Sequence, residues 1–261
     1  MRILCISSQV AYGPVGNTAA LPALQAMGHE VLALPTILLS NHPGHGTPHA
    51  IRVPAHDLAA TLGVLEQMGA LSTCGAVMTG YFASNDQIHG VARIIRKLKD
   101  LNDRLHVLVD PVMGDHEALY VPLPVAEAIR DTLVPLATCV TPNRFELEWL
   151  TGWRAGSIKE AEAAARQLNA PDVLATSIPS GIDRLATLSI SAAGTIRHLS
   201  RLHQQVPHGT GDFLAGLYLA RLASGEPPPE ALPGAMAILD RAVAASAGSD
   251  VLDVAAALRA A

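Results

Sequence analysis

Short apolar runs alternate with longer stretches of helical spacing along most of this chain. Residues 3–7, 31–35, 76–79, 106–109, 137–140 and 173–176 read as strands. Residues 16–27, 57–68, 86–98, 125–133, 143–150 and 158–168 read as helices between them. Parallel strands need a long crossover, and a helix supplies it. After Ile178 the rhythm changes. Residues 184–190 and 195–199 flank Ala192-Ala193-Gly194 and read as an antiparallel hairpin. Helices over 212–223, 229–247 and 251–260 close the chain. The expected class is α/β: a three-layer sandwich with a mainly parallel central sheet, helices on both faces and a late antiparallel hairpin. No repeat or low-complexity linker interrupts it, so residues 1–261 are expected to form one domain.

Composition narrows the function. With 261 residues, 49% hydrophobic and 16% charged, the chain can bury a large core and is not disordered. Aromatic residues are 3%, so Ala, Leu, Val and Ile must build that core. A net charge of −5 without a basic stripe argues against nucleic acid as a partner. Cys5, Cys74 and Cys139 are far apart, odd in number and lack CxxC spacing. They read as buried thiols in a reducing compartment. The first apolar run is too short for a signal peptide, and no run is long enough for a span. A cytoplasmic protein with no membrane partner is expected.

Ligands of open α/β sheets bind beyond the carboxyl ends of the strands. Polar clusters fall there: Ser7-Ser8-Gln9, Ser40-Asn41-His42, Gly80-Tyr81, the Asp110-to-Asp115 turn, and Thr141-Pro142-Asn143. The sharpest motif is Gly209-Thr210-Gly211-Asp212 before an apolar helix. Its amides and the helix start favour an anion. Asp212 there suits a base that takes a proton from a hydroxyl attacking a phosphoryl group. The plainer reading makes Asp212 a helix cap. In Asp110-Pro111-Val112-Met113-Gly114-Asp115 the carboxylates could hold Mg²⁺ through waters, although Asp-Pro also starts ordinary turns. Thr141 could cap the next helix with Pro142 in its first turn. Glu146 is then either part of that cap or a second carboxylate near a metal. No GxxxxGK[ST], GxGxxG or GxSxG element supports a P-loop, a dinucleotide fold or a serine hydrolase. His42, His45, His49 and His56 lack paired ligand spacing for zinc and read as loop histidines that contact a small ligand.

Taken in order, the run Ser8 to Asn17, Ser40-Asn41-His42, Asp110 to Gly114, Thr141-Pro142-Asn143 with Glu146, and Gly209 to Asp212 resembles the pyridoxal kinases of the ribokinase-like superfamily. The likeness covers about residues 2–222. The resemblance implies transfer of the ATP γ-phosphate to the 5′-hydroxyl of pyridoxal, often also of pyridoxine or pyridoxamine. It implies Asp212 as base, and Gly209 and Gly211 as the anion hole beside Thr210. It implies Ser8, Tyr81, Pro43 and Gly44 on the substrate side. Asp110, Thr141, Glu146, Thr176 and Ser177 fall on the ATP side, with Mg²⁺ near Asp110 and Glu146. A homodimer and a mobile flap over residues 116–124 are also implied; a monovalent cation stays open. Pro43 stands where Thr is common and His45 where Tyr is common, which bears on ring selectivity. Two alternatives remain: a hydroxymethylpyrimidine kinase or another small-alcohol kinase of the superfamily, and a non-catalytic B6 binder.

Overall fold

In the computed structural model, which describes residues 1–115, 118–203 and 206–259, strands and helices alternate along the chain. The first half holds β1 (Arg2–Tyr12), α1 (Asn17–Ala26), β2 (Glu30–Asn41), β3 (Ala50–Arg52), α2 (Ala55–Gln67), β4 (Cys74–Thr79), α3 (Asn85–Leu101) and β5 (His106–Val109). Next come the small strands β6 (Gly114–Asp115) and β7 (Ala118–Leu119), then α4 (Leu123–Ala128), β8 (Cys139–Val140), α5 (Arg144–Thr151) and α6 (Ile158–Ala165). The last part is β9 (Asp172–Pro179), β10 (Arg184–Ser191), β11 (Gly194–Arg201), α7 (Thr210–Ala223), α8 (Pro228–Ala245) and α9 (Val254–Leu258).

The main sheet has the order β11-β10-β9-β8-β5-β4-β1-β2-β3. From β9 to β2 every pairing is parallel; β10, β11 and β3 add antiparallel edges. Alternating side chains of the central strands feed opposite faces. Ile3, Cys5, Ala76, Met78, Leu108, Cys139 and Leu174 pack with α1, α7, α8 and α9. Leu4, Ile6, Val77, Val107, Val109 and Val140 pack with α2, α3 and α4, and Val173 and Ala175 with α6. This is the expected three-layer α/β sandwich with its late hairpin.

Several expected boundaries move. β1 continues past Ser7 to Tyr12, because a register slip between Ser7 and Gln9 absorbs the polar residues and Val10 is buried again beyond it. Ser7 and Ser8 thus lie inside the strand and not after it. β2 likewise continues past Pro35 to Asn41. Proline is tolerated there because β3 pairs only with Ile37, Leu38 and Leu39, leaving Pro35 with a free edge. β3 and the β6–β7 pair were too short to register as periodic runs. Thr176 and Ser177 sit within β9, at its slip against β10. His116 and Glu117 of the expected flap, and residue 260 of the expected last helix, lie outside the described residues.

Candidate active site

The carboxyl ends of β1, β4, β5 and β8 and the start of α7 converge on a group of acids. Asp110, the residue after β5, is 7% exposed. Its Oδ1 accepts a 2.9 Å hydrogen bond from the Thr141 hydroxyl. Thr141 therefore does not cap the following helix: Asn143 does, and its side chain accepts the Glu146 N–H at 2.9 Å. Glu146 completes a reciprocal cap, accepting the Asn143 N–H at 2.9 Å, and its other oxygen accepts the Met113 N–H at 3.1 Å. The capping reading of Glu146 is thus correct, yet the same geometry ties the helix to the Asp110–Asp115 turn. Asn143 adds a bond to the Gly114 carbonyl at 2.9 Å.

Asp212 is not a helix cap. Gly209 occupies that position and Asp212 lies in the first turn of α7. Its carboxyl accepts the Gly16 N–H and its own N–H, which lower its pKa, while burial raises it to about 6. Gly209 needs its glycine: φ is +91°, and a Cβ would lie 1.8 Å from the Pro14 carbonyl oxygen. A Cβ on Gly211 would meet nothing within 4 Å, so that backbone borders open space. Gly16 is equally constrained, since a Cβ there would stand 2.2 Å from Ser8 Oγ. Ser8 is thus held against the residue whose amide reaches Asp212.

These acids repel one another. Burial first, and then the charge of Asp212, push Asp110 up, with Thr141 opposing. Burial and then Asp110 raise Glu146 well above the usual carboxylate range, against the amides of Asn143, Met113 and Gly114. Among the described residues, the buried Thr79 hydroxyl at the end of β4 has no partner. No three of the described His, Cys, Asp or Glu residues are grouped to hold a metal on their own. Asp110 and Glu146, two buried carboxyls whose ionised forms burial and mutual repulsion disfavour, nevertheless suit Mg²⁺, which would favour ionisation, keeps waters and shares its shell with substrate phosphates.

The other candidates lie around this group. Tyr81 donates its N–H to Ser7 Oγ at 3.1 Å, while its ring packs on the apolar cluster beneath α2 and α3, and burial raises its pKa. Pro43 and Gly44 form an exposed turn after β2. Thr176 bonds to the Pro142 carbonyl at 2.9 Å. Ser177 has φ +60°, a strained conformation for a residue other than glycine. Three residues carried no role beside the acids in the sequence: Gly16, placed only in the Ser8–Asn17 run, Thr79, and Tyr120, placed only within the flap. Tyr120 is 57% exposed, yet burial and then the charges of Glu146, Asp110, Asp212 and Asp115 raise its pKa, so its phenol feels the field of all four carboxylates. Its place just after the Asp110–Asp115 turn was the available signal. A shallow depression of about 320 Å³ lined by Arg144, Glu148, Trp153 and Arg154 lies on the other side of α5 from Glu146.

The phosphomethylpyrimidine kinase family model matches residues 16–253, which spans every acid described above. The chain belongs to that family. A pyridoxine/pyridoxal/pyridoxamine kinase of Bordetella avium is 38% identical over 253 residues, covering 94% of this chain and 81% of the relative. Among solved structures of the family's fold, pyridoxal kinase from Entamoeba histolytica superimposes with a TM-score of 0.93 at 25% identity, covering 99% of this chain and 94% of the other. Pyridoxal kinase from Leishmania donovani in complex with ADP and pyridoxine gives 0.92 at 29% identity, with the same coverage.

Proposed function

We propose that this chain is an ATP-dependent pyridoxal kinase that transfers the γ-phosphoryl group to the 5′-hydroxyl of pyridoxal, with pyridoxine and pyridoxamine as further acceptors. The observation that carries this is the meeting of Asp212, Asp110 and the glycines of α7 at the carboxyl ends of the central strands. The Bordetella avium relative supports the acceptor class, and the Leishmania donovani complex with ADP supports the nucleotide.

A primary alcohol is a weak nucleophile at neutral pH. As its oxygen attacks the γ-phosphorus and the bond to the ADP oxygen breaks, Asp212 accepts the hydroxyl proton. Amides of the Gly209–Gly211 segment face the phosphoryl oxygens and steady their charge. Ser8, Tyr81, Pro43 and Gly44 border the acceptor; Thr141, Thr176, Ser177 and Thr210 border the nucleotide. Asp110, and Glu146 through water, would hold Mg²⁺, which supplies charge neutralisation on the phosphates. Among the described residues no helix is long and apolar enough to cross a membrane. We also read residues 1–261 as one cytoplasmic, homodimeric kinase domain; the nine-stranded sheet supports the single domain, and the three free buried cysteines support a reducing compartment.

ADP release measured over a panel of B6 vitamers and hydroxymethylpyrimidine tests the proposal. Turnover with pyridoxal is expected. The family model favours a second reading, a pyrimidine kinase, and strong preference for the pyrimidine would establish that one instead. Binding of vitamer without ADP release would leave only a binder. Sedimentation velocity tests the dimer.

A further inference from the structure

Two of the histidines after β2, His42 and His45, do not stand alone. The His42 ring lies 4.0 Å from the ring of His208, centroid to centroid, tilted by 34°. His45 meets both edge-on, at 6.1 Å and 5.8 Å, and Tyr12 closes on His45 at 5.2 Å. His42 belongs to the turn bearing Pro43 and Gly44; His208 directly precedes Gly209. The stack therefore joins the turn on the acceptor side to the segment that ends in Asp212.

The joint is close on each side. The Gly44 N–H donates to His42 Nδ1 at 3.1 Å, so that ring caps its own turn as a neutral acceptor. A Cβ on Gly44 would lie 2.3 Å from His208 Nε2, which puts the turn's backbone directly against the second ring. His45 is 9% exposed, and its Nδ1 pairs with Asp250 at 3.0 Å. The charged and titratable groups at the stack are thus the three imidazoles, Asp250 and Tyr12. Burial and then the charges of His208 and His45 push His42 down to about 4, and burial and then His45 lower His208 against Asp250. Burial and the neighbouring imidazoles thus disfavour charge on both stacked rings, and the Gly44 N–H bond requires an unprotonated His42 Nδ1.

We infer that His208 is a positioning residue that clasps the 42–46 turn over the acceptor side of the site through its stack on His42, and so sets affinity for the vitamer without setting affinity for the nucleotide. This rests on the kinase reading above, because the turn matters only if the acceptor lies beneath it. An aromatic contact of this kind is worth about a tenfold change in an equilibrium.

The experiment compares wild type, His208→Ala and His208→Phe in steady-state assays varying pyridoxal and ATP separately. ADP binding to the same preparations is followed by calorimetry to establish that each is folded. In His208→Ala the KM for pyridoxal is expected to rise about tenfold, while kcat and the KM for ATP stay within about twofold. His208→Phe keeps a flat ring and is expected to restore the wild-type KM. An unchanged pyridoxal KM in His208→Ala, a parallel loss for both substrates, or no rescue by His208→Phe would overturn the inference. Wild type that phosphorylates no vitamer would overturn the kinase reading itself.

Discussion

Asp212 can take a proton only while its carboxyl is ionised, and its surroundings act on that ionisation in opposite directions. Burial raises its pKa from the ordinary 3.8 to about 6, and the Gly16 amide restrains the rise. The protonated, inactive form therefore persists to higher pH than for a surface aspartate. Initial rates at saturating substrates should climb as pH passes through about 6 and level off above it. A flat profile from pH 5 to 8 would remove Asp212 from the base role. Asp212→Asn should lower kcat by roughly 10²–10⁴ with ADP affinity within about twofold, read by ADP release and calorimetry. At this scale the motif is legible: Gly209-Thr210-Gly211-Asp212 announces an acid at an amide-rich helix start. The amide that tunes the acid is not, because Gly16 lies near the other end of the chain and nothing local links the two.

The start of α7 separates two uses of glycine. Gly209→Ala must relieve both a left-handed φ and a backbone clash with Pro14, so it should cost about 2–4 kcal/mol and lower Tm by several degrees. Gly211→Ala meets open space and is expected to leave Tm within about 2 °C. Its methyl would project into that space, so kcat/KM for ATP should still fall about tenfold or more. Thermal melts beside kinetics distinguish the two; equal loss of stability in both would contradict the geometry. Strand ends were harder to read than helices. β5 matches its expected bounds, 106–109, because Asp110-Pro111 stops it in sequence. β1, β2 and β9 run on through polar residues or a proline, since pairing with neighbouring strands compensates for what local pattern would end. The cap of α5 passed from Thr141 to Asn143 for a similar reason: Asp110 engages the Thr141 hydroxyl.

Across the molecule, α7 is anchored to the sheet by Tyr218, between one and two turns beyond Asp212. The fully buried Tyr218 donates to Asp172 Oδ2 at 2.7 Å, and Ser189 on β10 donates to Oδ1 at 3.1 Å. Burial raises Asp172, with Tyr218 and then Ser189 opposing. Tyr218→Phe leaves that buried carboxyl short of a donor and should cost about 1–3 kcal/mol in urea unfolding, with kcat per folded molecule nearly unchanged. No loss of stability would mean the carboxyl finds another partner. The alternation of short apolar runs and helices determined the layered parallel sheet, because crossover connections and two-faced burial leave few other solutions. The polar residues at strand ends marked the end of the sheet where chemistry collects. Only the tertiary structure decided which of them meet: Gly16 with Asp212, Thr141 with Asp110, His42 with His208. Those encounters depend on strand order and helix packing, which bring distant segments within hydrogen-bonding or ring-contact range, and local sequence carries no record of such distances.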